Sequence, residues 1–157
     1  MAESHLARIL GRVPSGVFIL TAAHNGQETG MLASWVMQAG FEPPMVTVAV
    51  NRKRYVADWL KADGPFVLNV VAEDQKSLLA HFGRGFEPGA PAFDGLEITR
   101  TTSGLPVLPG IVGYLECQST DQLESADHHI FLARVLEGRL ASDTPPMVLI
   151  RNSGRHY

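Results

Sequence analysis

Four short stretches carry side chains able to do chemistry. The first is Asn51-Arg52-Lys53-Arg54, which follows an apolar run and precedes residues at helical spacing. Three cations at a helix start oppose the macrodipole, which favours negative charge at that end. Backbone N–H groups of a helix start, joined by Arg and Lys, form a phosphate site. A bound anion accounts for the run; so does a solvated turn that happens to be basic. The second stretch is Gly30-Met31-Leu32-Ala33-Ser34-Trp35-Val36, where small and polar residues interrupt an apolar strand. Alternation puts Ala33 and Trp35 on one face and Ser34 on the other. Small residues let a ligand approach the backbone, and a flat aromatic ligand suits such a strand. A core strand with an ordinary Trp is the simpler reading of the same letters.

The third is Asp127-His128-His129, ahead of Ile130-Phe131-Leu132. Neighbours on a strand point to opposite faces, so the two His do not chelate one metal together. One is expected to face a pocket and the other solvent; two edge histidines are the alternative. A His also donates to a phosphate or a ligand carbonyl. The fourth is the tail from Arg151 to Tyr157, with Arg155, His156 and Tyr157. Termini usually fray, so this tail matters only if it folds over a pocket.

Other chemistry is set aside. No G-x-G-x-x-G follows a strand, and Gly11 to Gly16 has the glycine spacing of a P-loop but Val17 where Lys is needed. No G-x-S-x-G elbow occurs. Cys117, the one cysteine, cannot build a disulfide framework or a Cys-rich zinc site. Its mid-strand position reads as core packing rather than a nucleophile.

The elements that must position these groups follow from pattern. Leu6, Ile9 and Leu10 recur at helical spacing after Ser4, which predicts a short helix ending at Gly11. Gly16 to Ala23 reads as a strand, Asn25-Gly26 as a hairpin turn, and Gly30 to Ala39 as the returning strand. Pro43-Pro44 ends it. Met45 to Val50 is a short apolar strand. Val56, Trp59 and Leu60 fit one helical face, stopped at Asp63-Gly64-Pro65. Phe66 to Val71 is strand again, and Asp74 is placed to cap a helix holding Leu78, Leu79 and Phe82. Gly83 to Gly95 is a loop. Ile111 to Ser119, His129 to Gly138 and Met147 to Arg151 are further strands. Six or seven strands with two or three short helices predict a mainly β fold, a small antiparallel barrel with helices outside it.

Length and composition agree. At 157 residues the chain is close to one domain and buries roughly 70% of its unfolded surface. It is 45% hydrophobic and only 18% charged, which argues against disorder and hints at surface hidden in a dimer. With 13 Lys and Arg against 16 Asp and Glu, there is no basic excess to neutralise a nucleic-acid backbone. The start Met1-Ala2-Glu3-Ser4-His5 does not read as a signal peptide, and no apolar run approaches the ~20 residues that cross a bilayer. The expected compartment is the cytoplasm.

Taken in order, these segments resemble the flavin reductase-like family, the FMN-binding split barrels, over nearly the whole chain. Arg12-Val13-Pro14-Ser15-Gly16-Val17, with Thr21 further on, looks like the family's opening. Gly30 to Val36 resembles its flavin-contacting strand, followed by Pro43-Pro44. Phe66-Val67-Leu68-Asn69-Val70 matches its F-x-[VL]-N-[VL] strand, His81-Phe82 its helix end, and Asp127-His128 its G-D-H motif with Ala126 for the Gly. Ala33 to Ala39, Tyr114-Leu115-Glu116-Cys117 and His156-Tyr157 look closest to the flavin reductase-like module at the C-terminus of cyanobacterial flavodiiron proteins, without a diiron or flavodoxin domain ahead of it in these 157 residues.

The resemblance implies a split β-barrel filling residues 1–157 as a single domain, a homodimer, and one flavin per subunit, FMN or FAD, near the dimer interface. It implies hydride transfer from NADH or NADPH to flavin, with a monooxygenase or other acceptor downstream. Met31, Leu32, Ala33, Ser34, Trp35 and Val36 should line the flavin ring and ribityl chain. Asn51, Arg52, Lys53 and Arg54 should take the phosphate. His81, Phe82 and Gly83 should lie over the flavin. His128, the expected catalytic residue, should approach the nicotinamide with Arg155 and Tyr157. No metal is implied. The alternatives are an FMN electron carrier reduced by another protein, and a dimeric barrel that has lost its ligand.

Overall fold

Ser4 starts the first helix, α1 (His5–Gly11), by accepting a hydrogen bond from the Ala7 N–H at 3.1 Å, the usual task of a serine N-cap. The computed structural model describes residues 2–156. The apolar stripe read from spacing faces outward. Leu6, Ile9 and Leu10 are exposed, while Ala7 and Gly11 are buried. The helix is seated by its small residues, for a reason found at the other end of the chain.

After α1 come β1 (Ser15–Gly16) and β2 (Phe18–His24). Asn25 and Gly26, at φ 50° and 78°, make the tight turn expected of Asn-Gly and return the chain into β3 (Gln27–Ala33). The single strand expected from Gly30 to Ala39 is two. Ser34 and Trp35 break it, and β4 (Val36–Gly40) pairs elsewhere, with β5 (Met45–Asn51). Then follow α2 (Tyr55–Lys61), β6 (Pro65–Val70), α3 (Lys76–Phe82), β7 (Thr99–Arg100), β8 (Pro106–Val107), β9 (Gly113–Glu124), β10 (His128–Leu140) and β11 (Val148–Leu149). The N-cap of α3 is Gln75 and not Asp74. Gln75 instead accepts from the Ala72 N–H at 3.1 Å and donates to the Pro109 carbonyl at 2.9 Å, fastening two loops.

Seven antiparallel strands form one sheet in the order β3-β2-β6-β9-β10-β5-β4. Its two edge strands, β3 and β4, are consecutive in the chain and joined only by Ser34-Trp35. The sheet therefore curls on itself. Leu20, Met31, Ala33, Val46, Val48, Val50, Phe66, Leu68, Cys117, Phe131 and Ala133 meet in one interior cluster. Val56, Trp59 and Leu60 of α2 join it, as the helical face read from the sequence requires, and so close one end. A second cluster, with Ile19, Val67, Leu78, Phe82, Leu105 and Ile111, lies on the outer face of β2 and β6.

Buried polar groups hold that outer layer down. Asn69 donates to the Ile19 carbonyl at 2.9 Å and to Thr21 Oγ1 at 3.2 Å, and accepts from the Leu108 N–H at 2.9 Å. Thr21 donates in turn to the Pro106 carbonyl at 2.6 Å. Glu116, buried on β9, accepts from Thr101 Oγ1 at 2.6 Å. Each unsatisfied buried group costs about 1–3 kcal/mol. The variant Asn69→Ala leaves the Leu108 N–H without its acceptor, so urea unfolding is expected to show a loss of roughly 2 kcal/mol or more. A loss within experimental error contradicts this account.

Candidate functional site

The join between the sheet edges organises a surface site. The Trp35 carbonyl accepts from the Ala49 N–H of β5 at 3.0 Å, which sets the indole beside the outer face of that strand. β5 buries Val46, Val48 and Val50, so the alternate residues Thr47, Ala49 and Asn51 point outward. His128 pairs with Asn51 across β10 and β5, and paired residues share a face. The His128 ring consequently lies against Trp35, centroids 4.6 Å apart. The guanidinium carbon of Arg151 sits 5.4 Å from the Trp35 ring centroid, within cation–π range.

Two clefts meet at this Trp35–Arg151 contact. One, of about 670 Å³, is lined by Val13, Pro14, Ser15, Gly16, Ser34, Trp35, Val36, Met37, Thr47, Ala49, Val148 and Arg151. Apart from Arg151 its walls are apolar or neutral, with an aromatic side, which suits a flat ring system. The other, of about 480 Å³, is lined by Trp35, Asn51, Asp127, His128, Arg151, Gly154, Arg155 and His156. It is polar and rich in cations, which suits an anion. The pair is large enough for two ring-bearing ligands that touch at Trp35.

The electrostatics are set locally. Asp127 accepts from the His128 Nδ1–H at 2.6 Å. That bond, reinforced by the nearby Arg52 charge, holds the Asp127 carboxyl below its usual range. It also fixes which ring nitrogen of His128 carries the proton. The Arg52 N–H donates to the Asp127 carbonyl at 3.1 Å, so the basic run and the His128 turn are bound to each other. Asn51 Oδ1 accepts from the Lys53 N–H at 3.0 Å, and no side chain caps α2 at Arg54. Arg54 reaches the other way and donates to the Arg84 carbonyl at 3.3 Å.

Of the residues singled out in the sequence, Ser34, Trp35, Val36, Asn51, His128 and Arg155 line the clefts, with Arg52 and Lys53 exposed alongside. Others do not reach them. Met31 and Ala33 face the barrel interior, and Leu32 packs on the outer cluster. Ala33 and Trp35 do not share a face, because the strand ends between them: Ala33 is buried and Trp35 exposed. Phe82 is fully buried, its ring so close to Gly30 that a Cβ there would lie 2.7 Å away. It is a core residue and offers no surface to a ligand. His81 donates to the Ala92 carbonyl at 2.7 Å, and exposed Gly83 lies outside both clefts. The loop after α3 is drawn back by Arg54 and by Tyr55, whose hydroxyl donates to the Phe86 carbonyl at 2.7 Å. His129 faces the barrel and not solvent. It is buried, its Nδ1 3.8 Å from Glu124 Oε1. Tyr157 lies outside the described residues. Burial pushes the Cys117 thiol up to about 12, which removes it as a nucleophile. Among the described residues no group of three or more His, Cys, Asp or Glu is placed to hold a metal.

Sequence reasoning noted Arg151 only as the head of the tail and Val13 to Gly16 only as part of the chain's opening, gave neither a place in the site, and passed over Thr47 and Val148. The outward period of β5 could have found Thr47. Nothing local marks Arg151, because its role depends on the tail crossing α1. The Arg151 N–H donates to the Gly11 carbonyl at 2.9 Å and the Gly154 N–H to the Ala7 carbonyl at 2.7 Å. A Cβ on Gly11 would stand 2.5 Å from the Arg151 carbonyl oxygen, and one on Gly154 would fall on Leu10. The close approach of tail and helix needs both glycines. Overpacking costs about 1–3 kcal/mol, so Gly154→Ala is expected to lower Tm by a few degrees and to make the tail sensitive to carboxypeptidase. An unchanged digestion rate contradicts the pinned tail.

Comparison with known proteins gives this geometry a context. The profile described as "Flavin reductase like domain" matches residues 10–157. Diflavin flavoprotein A 1 of Synechocystis sp. is 38% identical over 157 residues, covering 99% of this chain and 27% of that protein. Putative diflavin flavoprotein A 1 of Nostoc sp. is 36% identical, again over 99% of this chain and 27% of its own length. The chain thus spans about 27% of the length of these curated relatives. Among solved structures, the NADH:FAD oxidoreductase of Streptomyces globisporus superposes with a TM-score of 0.84 at 28% identity, covering 94% of this chain and 87% of that one. The styrene monooxygenase flavin reductase of Pseudomonas putida S12 superposes at 0.78 with 24% identity, covering 94% and 93%.

Proposed function

The chain belongs to the flavin reductase-like family, a split barrel in fold, and from that premise we propose that it is an NAD(P)H:flavin oxidoreductase. The observation that carries the proposal is the meeting of an apolar, Trp-walled cleft with a cationic one at Trp35. Hydride transfer between two flat rings needs them stacked at about 3–3.5 Å. When bound, the flavin supplies the hydride acceptor and the nicotinamide the hydride. The protein positions, dries and neutralises.

In this reading FMN is the bound flavin, with FAD sharing the same ring and first phosphate. Val13, Pro14, Val36 and Val148 exclude water from the ring, and the Ser34 hydroxyl offers it a donor. Arg52 and Lys53, in the turn shaped by Asn51, take the phosphate as charge-assisted donors; Arg54 joins them only by releasing the Arg84 carbonyl. His128, its Nδ1 proton fixed by Asp127, faces the nicotinamide beside Arg155. The hydride step itself requires no acid or base. The reading is supported by the name of the Streptomyces relative, an NADH:FAD oxidoreductase at 28% identity.

The proposal extends to a homodimer in the cytoplasm that acts as a single domain and passes electrons to a monooxygenase or another acceptor. Val13, Met37 and Val148 are 63%, 68% and 64% exposed on the rim of the apolar cleft, and Phe41 beyond β4 is 89% exposed. A second copy seated there would cover this surface and shelter the ring.

An absorbance scan before and after anaerobic NADH or NADPH is the direct test. Flavin bands that bleach with one of them are expected. Bands that persist with both sink the reductase and leave a flavin carrier fed by a partner. The double variant Arg52→Ala, Lys53→Ala is expected to weaken FMN by more than about tenfold while riboflavin, which lacks the phosphate, changes little. One charge-assisted bond is worth ~1.5–3 kcal/mol, and tenfold is about 1.4 kcal/mol. Equal losses for both ligands refute the phosphate assignment.

A further inference from the structure

One face of the molecule is both apolar and cationic. On α1, Leu6 and Ile9 are 61% and 63% exposed and Leu10 is exposed beside them, and none of the three lines either cleft. Arg8 and Arg12, about one helical turn apart, stand next to this stripe. With His5 and Ile9 they border an open hollow of about 280 Å³. The two chain segments that meet here, residues 4–27 and 144–157, hold four Arg and no Lys, Asp or Glu. The other residues carry nine Lys and Arg against sixteen Asp and Glu. The β1–β11 ladder and the tail bonds to α1 join the two segments. Positive charge is thus gathered on one side of a chain whose net charge is −3.

The composition of this face selects its occupant. An exposed apolar stripe with a polar rim marks a contact surface, and protein interfaces favour Arg while Lys, Glu and Asp are scarce in them. A second copy of the chain is a poor match. An isologous contact sets the face on itself, and neither segment has an acid to answer the arginines. Glu3, just ahead of the first segment, is engaged by His156 at 3.3 Å. A bilayer is a poor match too. α1 has seven residues, about 10 Å of helix, and the tail bonds at Ala7 and Gly11 hold it against the body of the protein. An acidic protein surface is the complement, and opposite charge also speeds its encounter. The face borders the mouth of the polar cleft, since Gly154 and His156 of that cleft reach Ala7 and Glu3. A protein seated there lies beside the redox site.

We propose that the outer face of α1 docks the acidic surface of a redox protein that takes electrons from the cleft. The inference rests on the reductase reading for the source of the electrons and not for the contact itself. The two-electron-reduced flavin gives one electron to each of two one-electron acceptors and releases its protons to water. Leu6, Ile9 and Leu10 supply the area removed from water, and Arg8 and Arg12 set the orientation.

Cytochrome c is the probe, because one fold is available with opposite charges: the native form is basic and the succinylated form acidic. Titration calorimetry reads the affinity of each. The succinylated form is expected to bind at least about tenfold more tightly at low salt, and Arg8→Glu with Arg12→Glu to abolish the difference. Ile9→Ser should weaken binding at high salt as well, where screening leaves the apolar contact. Arg134→Glu with Arg139→Glu, the same change of charge placed on β10, should alter the affinity little. Anaerobic reduction of the succinylated haem from Fe(III) to Fe(II), by flavin reduced with NADPH or with light, should follow the same order. Equal affinity for the two cytochromes, or equal losses in the two double variants, overturns the docking face. So does transfer that is indifferent to Arg8 and Arg12. Binding to phosphatidylserine vesicles through Arg8 and Arg12, without preference for the acidic cytochrome, assigns the face to a membrane and overturns the proposal. Arg8- and Arg12-dependent transfer from light-reduced flavin, with no reduction by NADH or NADPH, removes the reductase reading and keeps the docking face.

Discussion

A seven-stranded antiparallel sheet whose edge strands are consecutive in the chain has to bend until those edges meet. Here two residues, Ser34 and Trp35, make the join between β3 and β4. Ladder bonds do not close this seam along its length. The Ala49 N–H to Trp35 carbonyl bond at 3.0 Å ties the join to β5, and side chains of both edges fill a common interior. Ser34 and Trp35 themselves belong to neither edge strand. Their side chains face outward at the place where a closed barrel is most open.

Much else is arranged around that seam. The alternation of β5 decides that Thr47, Ala49 and Asn51 form a floor beside Trp35. The register of β10 on β5 then fixes His128 over Asn51, and Asp127 follows as its hydrogen-bond partner. The tail supplies the last wall. It reaches the seam because Gly11 and Gly154 let two backbones approach more closely than any side chain allows. Strand periodicity thus governs one half of the site, and glycine contacts between the chain's two ends govern the other.

What could be read from the letters was local. Asn25-Gly26 marks its own turn, Ser4 its own helix, and Val56, Trp59 and Leu60 their own buried face. The mainly β barrel followed from counting such segments. What could not be read depends on closure over distance. Ala33 and Trp35 lie on one face only if the strand continues, and it stops because β4 must pair with β5. The Leu6, Ile9, Leu10 spacing predicts the helix itself but not which face is covered: the tail docks on Ala7 and Gly11 and leaves the stripe outside. Phe82 looked like a ligand contact by resemblance; the outer cluster needs a large ring opposite Gly30, and Phe82 fills that place. His129 went inward because β10 keeps Phe131 and Ala133 inside, and side chains two apart share a face.

The crossing of tail and first helix also brings the chain's two ends to one spot, Glu3 within 3.3 Å of His156, at the mouth of the polar cleft. Anything tethered to either end begins its excursion there. A flexible link of modest length gives a tethered group an effective concentration in the millimolar range, so a redox module joined ahead of Ser4 meets the cleft far more often than the same module free in solution. The cost of the arrangement is geometric: a bulky tag on the same end competes for the opening, and the choice of which terminus to extend becomes a choice about traffic at the site.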